Sequence, residues 1–170
     1  MCIRDSYDAI PATDVRKGQF WVSTDTYNLT PRNKFYDPGR KLGGQRTITT
    51  DYVYMRVEEM YLLNAETAAK SGDEATAKTS LKAVLNNRLP STSYIDALSG
   101  QALQNEIYLQ TRIELWGEGK SYLAMKRNRA TITRGTNHLS FKGVPIPYND
   151  PRLTFSIPQS EMQNNPFINQ

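Results

Sequence analysis

The apolar positions of this chain change spacing along its length. Over residues 51–71, DYVYMRVEEMYLLNAETAAKS, the side chains Tyr54, Val57, Tyr61, Ala65 and Ala68 recur at intervals of three and four, and Leu62, Ala65 and Ala69 widen the stripe. That spacing predicts a helix with one buried face. Ser71-Gly72-Asp73 ends it and starts another. Glycine suits the left-handed position after a helix, and aspartate caps the next N-terminus. A second helix is expected over about residues 74–88, burying Ala77, Leu81, Val84 and Leu85. So short a connection makes the two an antiparallel hairpin.

Pro90-Ser91-Thr92-Ser93 interrupts the pattern. A third helix is expected from about Gln101 to Trp116, with Leu103, Ile107 and Leu115 inward and Ile113 close by. A fourth covers about Lys120 to Arg129, with Tyr122, Leu123 and Met125 as its apolar positions. The expected fold is therefore mainly α. It consists of stacked helical hairpins, a tetratricopeptide-like α–α superhelix, with long irregular loop segments before and after. Residues 1–50 form the first loop-rich segment, residues 51–129 hold two helical hairpins, and residues 130–170 form a loop-rich tail. Asp37-Pro38-Gly39 and Gly43-Gly44 mark turns in the first segment. Proline stops at Pro145, Pro147, Pro151 and Pro158 prevent long regular elements in the tail. Phe141, Val144, Ile146, Phe155 and Ile157 are expected to pack the tail across the helices.

Composition narrows the chemistry. The 170 residues are 38% hydrophobic and 22% charged, with a net charge of +4. That composition belongs to a folded domain and not to a disordered chain. The positive balance is spread among acids, and the one dense basic cluster, Lys126-Arg127-Asn128-Arg129, reads as a solvated helix end. Nucleic acid is not an expected partner. One cysteine, Cys2, and one histidine, His138, argue against an internal disulfide, a zinc site or a histidine-dependent triad. No cofactor is expected. Residues 1–6, MCIRDS, lack the apolar stretch of a secretion signal and read as a truncated start.

Gly119-Lys120-Ser121 has the ending of a phosphate-binding loop. The full motif requires glycine five positions before Gly119, and Glu114 stands there. A carboxylate in a phosphate cradle is electrostatically wrong, and the preceding segment is helical. The bracketing of Glu118 by Gly117 and Gly119 points instead to a tight bend between two helices. Glu114 and Glu118, four residues apart, also have the form of an acid/base pair. Beside Arg112 and Lys120 they read as structural ion-pair partners.

These residues carry a resemblance. "MRVEEMYLLNAETAAKSGD", "LQTRIELWGEGKSYLAMKR" and "FSIPQSEMQNNPFINQ" together resemble the C-terminal part of the SusD/RagB family. These are nutrient-uptake outer-membrane lipoproteins of Bacteroidetes. The pattern Arg-x-x-Glu-x-Tyr-Leu-x-x-Ala-Glu falls on Arg56, Glu59, Tyr61, Leu62, Ala65 and Glu66. The pattern Arg-x-Glu-Leu-x-x-Glu-Gly falls on Arg112, Glu114, Leu115, Glu118 and Gly119, followed by Lys126 and Arg127. Ile-Pro-x-x-Glu and Asn-Pro fall on Ile157, Pro158, Glu161, Asn165 and Pro166. "YDAIPATDVRKGQFW" is similar to the family's Asp-Val-Arg segment. The chain departs from the family at Ala124, where many members have Asp, and at Ser121, where many have Arg. The usual Asn-x-x-Arg is not cleanly present around Asn86, Asn87 and Arg88.

The resemblance implies a non-enzymatic protein of the cell surface and outer membrane. Such a protein captures glycans or peptides and delivers them to a TonB-dependent (SusC-like) transporter. It implies that this chain is a C-terminal part, with the N-terminal portion missing. Membrane association would then come only through a lipid anchor in that portion. The motif residues would hold helices together rather than touch ligand. For ligand contact, the aromatic residues Trp21, Tyr27, Phe35 and Tyr36 fit sugar binding in type, but anchoring of the loop is the reading they favour. The alternative function is a helical-repeat scaffold for protein interaction, without nutrient binding.

Overall fold

The computed structural model describes residues 7–22, 29–32, 34–35, 39, 51, 53–135, 138 and 140–168. The structure is mainly α. Its chief helices are α1 (Val57–Ser71), α2 (Glu74–Leu85), α3 (Gly100–Glu114) and α4 (Ser121–Arg127), and a short α5 (Gln159–Asn164) lies near the C-terminus. A two-stranded antiparallel ribbon, β1 (Phe20–Trp21) and β2 (Thr30–Pro31), precedes them, with Phe20 opposite Pro31 and Trp21 opposite Thr30. The chain divides into two compact units, Met1–Ala124 and Met125–Gln170.

In the first unit α1, α2 and α3 pack on one another, α1 most extensively against α2. Gly72 follows α1 at φ 89°, and its N–H and that of Asp73 satisfy the last carbonyls. The Asp73 side chain then accepts from the Thr76 N–H and caps α2. The buried core takes Leu62, Ala65, Ala68 and Ala69 from α1, Ala77, Leu81, Val84 and Leu85 from α2, and Leu103 and Ile107 from α3. Ile95, in the 3-10 turn Ser93–Ala97, and Leu115 complete it. Small alanines on α1 allow the close approach of α2, and the Asn64 side chain donates to Ser80 Oγ across the pair at 2.7 Å.

The inward face of α1 is narrower than the sequence pattern suggests. Leu62, Ala65 and Ala69 are buried, whereas Tyr54, Val57 and Tyr61 are exposed. The periodic stripe begins before the helix does, because residues 53–56 are not helical, Arg56 is extended and the helix starts at Val57. In α4 the buried positions are Ala124 and Met125, and Leu123 is exposed.

A second, smaller core lies beside the first. Ile10 and Phe20 from the N-terminal segment pack with Ile113 and Trp116, and Tyr7, Leu29, Phe35 and Leu109 flank them. The Phe20 and Trp116 rings lie 4.8 Å apart, and Phe35 meets Trp116 edge-on at 5.6 Å. Trp116 Nε1–H donates to Gln19 Oε1 at 3.0 Å, which satisfies the polar end of the buried indole.

In the second unit, Ile132 and Ile146 pair as an antiparallel bridge, and Ile146 is buried. Asp150 caps the 3-10 turn Pro151–Leu153 by accepting from the Arg152 N–H at 2.9 Å. Of the five apolar tail residues expected to pack, Ile146 alone is buried. Phe141, Val144, Phe155 and Ile157 are exposed. The prolines at 145, 147, 151 and 158 leave the tail no long element on which to form a continuous apolar face.

Candidate functional site

Three segments distant in sequence converge on the C-terminal end of α3. Glu114, its last residue, has a carboxylate that accepts from three arginines. Arg16 Nη1 donates to Oε2 at 3.1 Å, Arg56 Nη1 to Oε1 at 2.7 Å, and Arg88 through Nε and Nη2 at 3.1 and 2.9 Å. Arg16 is held in turn by Asp14, and Arg88 Nη2 also reaches Glu58 at 3.1 Å. Glu118 takes Lys34 Nζ at 2.6 Å and Arg56 Nη2 at 3.0 Å. The cluster thus joins four cations, Arg16, Lys34, Arg56 and Arg88, to four carboxylates, Asp14, Glu58, Glu114 and Glu118. It carries no net charge, which is the condition for burying so many ions together.

Local structure explains why each arm arrives. Arg56 occupies the N-cap position of α1 in an extended conformation, and its side chain makes no capping bond. It is thereby free to reach across to α3. Glu58 and Glu59 in the first turn favour the positive end of α1 instead. The backbone carbonyl of Glu114 is an orphan acceptor at the end of α3. It receives Arg56 Nη2 at 2.5 Å and Lys34 Nζ at 2.7 Å, so the arms of the cluster also close the helix terminus.

The electrostatics follow from the contacts. Burial alone raises the pKa of Glu114, but the hydrogen bonds from Arg88 and Arg56 outweigh it and bring the carboxyl down to about 2. Arg56 and Arg88 are pushed above the ordinary value: their bonds to the carboxylates outweigh burial, which pulls the other way. For Lys34, burial wins and the ammonium is lowered. A Glu114 carboxylate so placed stays ionised through neutral pH with its lone pairs occupied. It lacks the proton of a general acid and the free acceptor of a general base.

The remaining motif residues have separate neighbours. Glu59 pairs with Lys120 at 3.1 Å, and Glu66, buried in α1, pairs with Lys70 one turn on at 2.7 Å. The Arg112 guanidinium lies 5.6 Å from the Tyr108 ring. Tyr61 is exposed on α1, and Arg127 is exposed in the last turn of α4. Gly119 has φ 76° and open space where a Cβ would stand, so it serves the turn and not close packing. Gly117 does both, with φ 75° and the Phe35 ring 2.5 Å from the Cβ position. Sequence reasoning placed Arg56, Glu114 and Glu118 among the motif residues but left out Arg16, Lys34 and Arg88. Asp14-Val15-Arg16 was legible only as a similarity, and Arg88 stood where the family spacing looked imperfect.

The aromatic candidates divide. Phe35 is a docking anchor against Trp116 and Gly117. Trp21 remains 38% exposed at the end of β1, with the Arg32 guanidinium 5.2 Å from its ring. It lines an open cavity of about 410 Å³ with Lys17, Gly18, Phe20, Val22 and Arg32. Tyr27 and Tyr36 lie outside the described residues. Among the described residues no group of His, Cys, Asp and Glu is arranged to hold a metal ion, and no helix is long and apolar enough to cross a membrane.

Comparison with solved structures finds the same architecture. A SusD superfamily protein from Bacteroides fragilis is similar at 31% identity with a TM-score of 0.65, over 96% of this chain and 35% of that one. A SusD-like carbohydrate binding protein from Bacteroides vulgatus ATCC 8482 matches at 24% identity with a TM-score of 0.61, over 93% of this chain and 39% of that one. This chain therefore spans little more than a third of the length of either. No curated protein matches it. The family model of the SusD family matches residues 21–170, and on that match the chain belongs to the SusD family.

Proposed function

We propose that this chain serves in a non-catalytic nutrient-binding protein of the outer-membrane surface, which captures glycans and passes them to a TonB-dependent transporter. The observation that carries the reading is membership of the SusD family over residues 21–170. The description of the Bacteroides vulgatus neighbour as carbohydrate-binding agrees with it. Two features of the chain are in keeping. The carboxylates with the form of an acid/base pair are consumed by arginine and lysine, and an exposed tryptophan stands beside an open cavity. A lipid anchor outside these residues would hold such a protein at the membrane. Handing ligand on requires weak capture, with dissociation constants of about micromolar to millimolar.

The competing reading is a helical scaffold for a protein partner. The exposed apolar face of α1, with Val57, Met60 and Tyr61, favours it. One experiment separates the two. The gene in its full natural extent is expressed with an affinity tag in its own host, and the purified protein is incubated with a panel of glycans and peptides. Co-purification of a TonB-dependent transporter together with intact bound glycan supports nutrient capture. A different protein partner with no glycan binding supports the scaffold. Shortened glycans that track with the protein overturn the non-catalytic reading.

A further inference from the structure

A second cleft, of about 440 Å³, opens between the N-terminal segment, the turn after α2 and α3. Its walls are largely apolar, with Pro11, Leu89, Pro90 and Leu109, and into it face one phenol and one carboxylate, Tyr94 and Glu106. Tyr94 belongs to the 3-10 turn Ser93–Ala97 and is 41% exposed. Its hydroxyl donates to Glu106 Oε1 at 2.7 Å. Gln110 Nε2, one turn further along α3, donates to the same oxygen at 2.8 Å. Gln110 is itself buried, and its own Oε1 accepts from Arg16 Nη2 at 2.6 Å. The arginine fixes the amide orientation: oxygen towards Arg16, nitrogen towards Glu106. A chain of hydrogen bonds therefore runs from the buried ion cluster into the cleft and holds the Glu106 carboxylate in one pose.

That carboxylate differs from those of the ion cluster. The cluster's acids are matched by arginine or lysine, whereas Glu106 takes part in no ion pair among the described residues. Its compensation is two neutral donors, both on Oε1. Among the described residues no donor reaches Oε2, and the cleft that Glu106 lines also holds the Tyr94 ring and apolar walls. Burial and the Glu106 carboxylate raise the Tyr94 pKa, so the phenol keeps its proton and remains a donor. An anion in such surroundings favours a cation, and an aromatic face adds to the attraction. The kind of cation follows from the oxygens. A guanidinium gains most when its fork meets both oxygens of a carboxylate, and here one already has two donors. A divalent metal ion needs several oxygen ligands, and the cleft supplies one carboxylate. A primary ammonium is a compact point donor that needs one open oxygen.

We propose that this cleft binds a ligand through a primary ammonium group, which donates to Glu106 Oε2 alongside the Tyr94 ring. An amino sugar and a lysine side chain both present that group. The cleft's volume lies within the usual range of small-molecule sites, about 300–1,000 Å³. The inference stands apart from the glycan reading above, since either source of the ammonium satisfies it.

The test uses the 170-residue chain and calorimetry at about pH 6, where both amines are protonated. Four probes are titrated: a glucosamine disaccharide, its N-acetylated counterpart, a short terminally blocked lysine peptide, and the same peptide with norleucine. Glu106→Gln keeps the acceptor for Tyr94 and removes the charge. The expected result is a preference of about tenfold or more for at least one ammonium probe over its neutral counterpart, lost in Glu106→Gln. Preference for the sugar alone or the peptide alone identifies the source. Equal affinity within both pairs, or a preference that survives Glu106→Gln, overturns the proposal. If the variant melts early, the comparison within each pair on the unaltered chain decides alone. Equal binding of both disaccharides, with no preference within the peptide pair either, defeats this inference and leaves the glycan reading intact. Binding of the lysine peptide alone supports it and speaks against that reading.

Discussion

Arg16 and Glu114 are 98 residues apart in sequence, and their side chains meet at 3.1 Å with 2% and 3% of their surface exposed. The contact ties the N-terminal segment to the end of α3 at the point where the arms from Arg56 and Arg88 also arrive. Removing the central acceptor of such a cluster leaves one buried and two partly buried guanidinium groups, those of Arg16, Arg56 and Arg88, short of an anion. Breaking a buried ion pair from one side costs about 3–5 kcal/mol. Glu114→Gln is expected to lose stability on that scale in urea or thermal unfolding. A melting temperature within a degree of the parent chain would falsify the account of Glu114 as the hub.

The same carboxyl predicts an acid limb. Its pKa is held at about 2, against an ordinary 4.5. A depressed carboxyl contributes stability in full above the unfolded value, and that stability is lost as pH falls through the window from 4.5 towards 2. A depression of that size corresponds to about 3 kcal/mol. Unfolding free energy measured between about pH 6 and pH 2 is expected to fall steeply in that window. In Glu114→Gln the fall should be shallower. Parallel curves for the two proteins would show that other carboxyls dominate.

The helices were legible because their spacing and punctuation agreed. Gly72 and Asp73 marked a helix stop and a cap by chemistry that is local, and the core positions of α2 followed from period alone. The start of α1 was less legible. Tyr54 and Val57 fit the period, but Arg56 is drawn out of the helix to reach Glu114 and Glu118, a tertiary demand that no local pattern records. For the same reason Arg16, Lys34 and Arg88 were missed. A lone arginine in a loop looks like any solvated cation until its distant partner is known. The Tyr94–Glu106 cleft left no signal either, since its walls come from segments separated by most of the chain.

The corner between α3 and α4 allows a paired comparison. Both glycines have positive φ, 75° at Gly117 and 76° at Gly119, where an L side chain is strained. Gly119→Ala meets open space, so its cost should be the backbone term, about 1 kcal/mol. Gly117→Ala adds a Cβ 2.5 Å from the Phe35 ring and must push that ring off Trp116. It should cost clearly more, and the near-ultraviolet circular dichroism of Trp116 should change with it. Equal destabilisation by the two substitutions would remove the packing role assigned to Gly117.

Mg-ATP is expected to give no heat of binding. The Lys120 ammonium that would contact phosphate is paired with Glu59 at 3.1 Å, and Glu118 beside it is buried against Lys34 and Arg56. Two carboxylates thus occupy the neighbourhood that a phosphate would need. Micromolar binding that disappears in Lys120→Ala would contradict this arrangement.

Trp21 and Phe35 belong to one loop-rich segment but should respond oppositely to truncation. Phe35 packs on Trp116 and over Gly117, so Phe35→Ala opens a void beside the second core. A loss of about 2–4 kcal/mol is expected, since the ring is only partly buried and fully buried phenylalanines lose about 3–5. Trp21 keeps 38% of its surface exposed and lines the open cavity with Arg32. Trp21→Ala should cost under about 1 kcal/mol of stability, close to the range for surface positions. If the cavity takes part in glycan capture, the same substitution should weaken binding of a responsive glycan by about tenfold, the loss of a stacked aromatic face. Both quantities come from one pair of experiments, thermal unfolding and calorimetry with the best glycan of the panel. A Trp21→Ala protein that binds that glycan with unchanged affinity would move the binding surface away from β1. A Trp21→Ala protein as unstable as Phe35→Ala would make Trp21 an anchor like its neighbour.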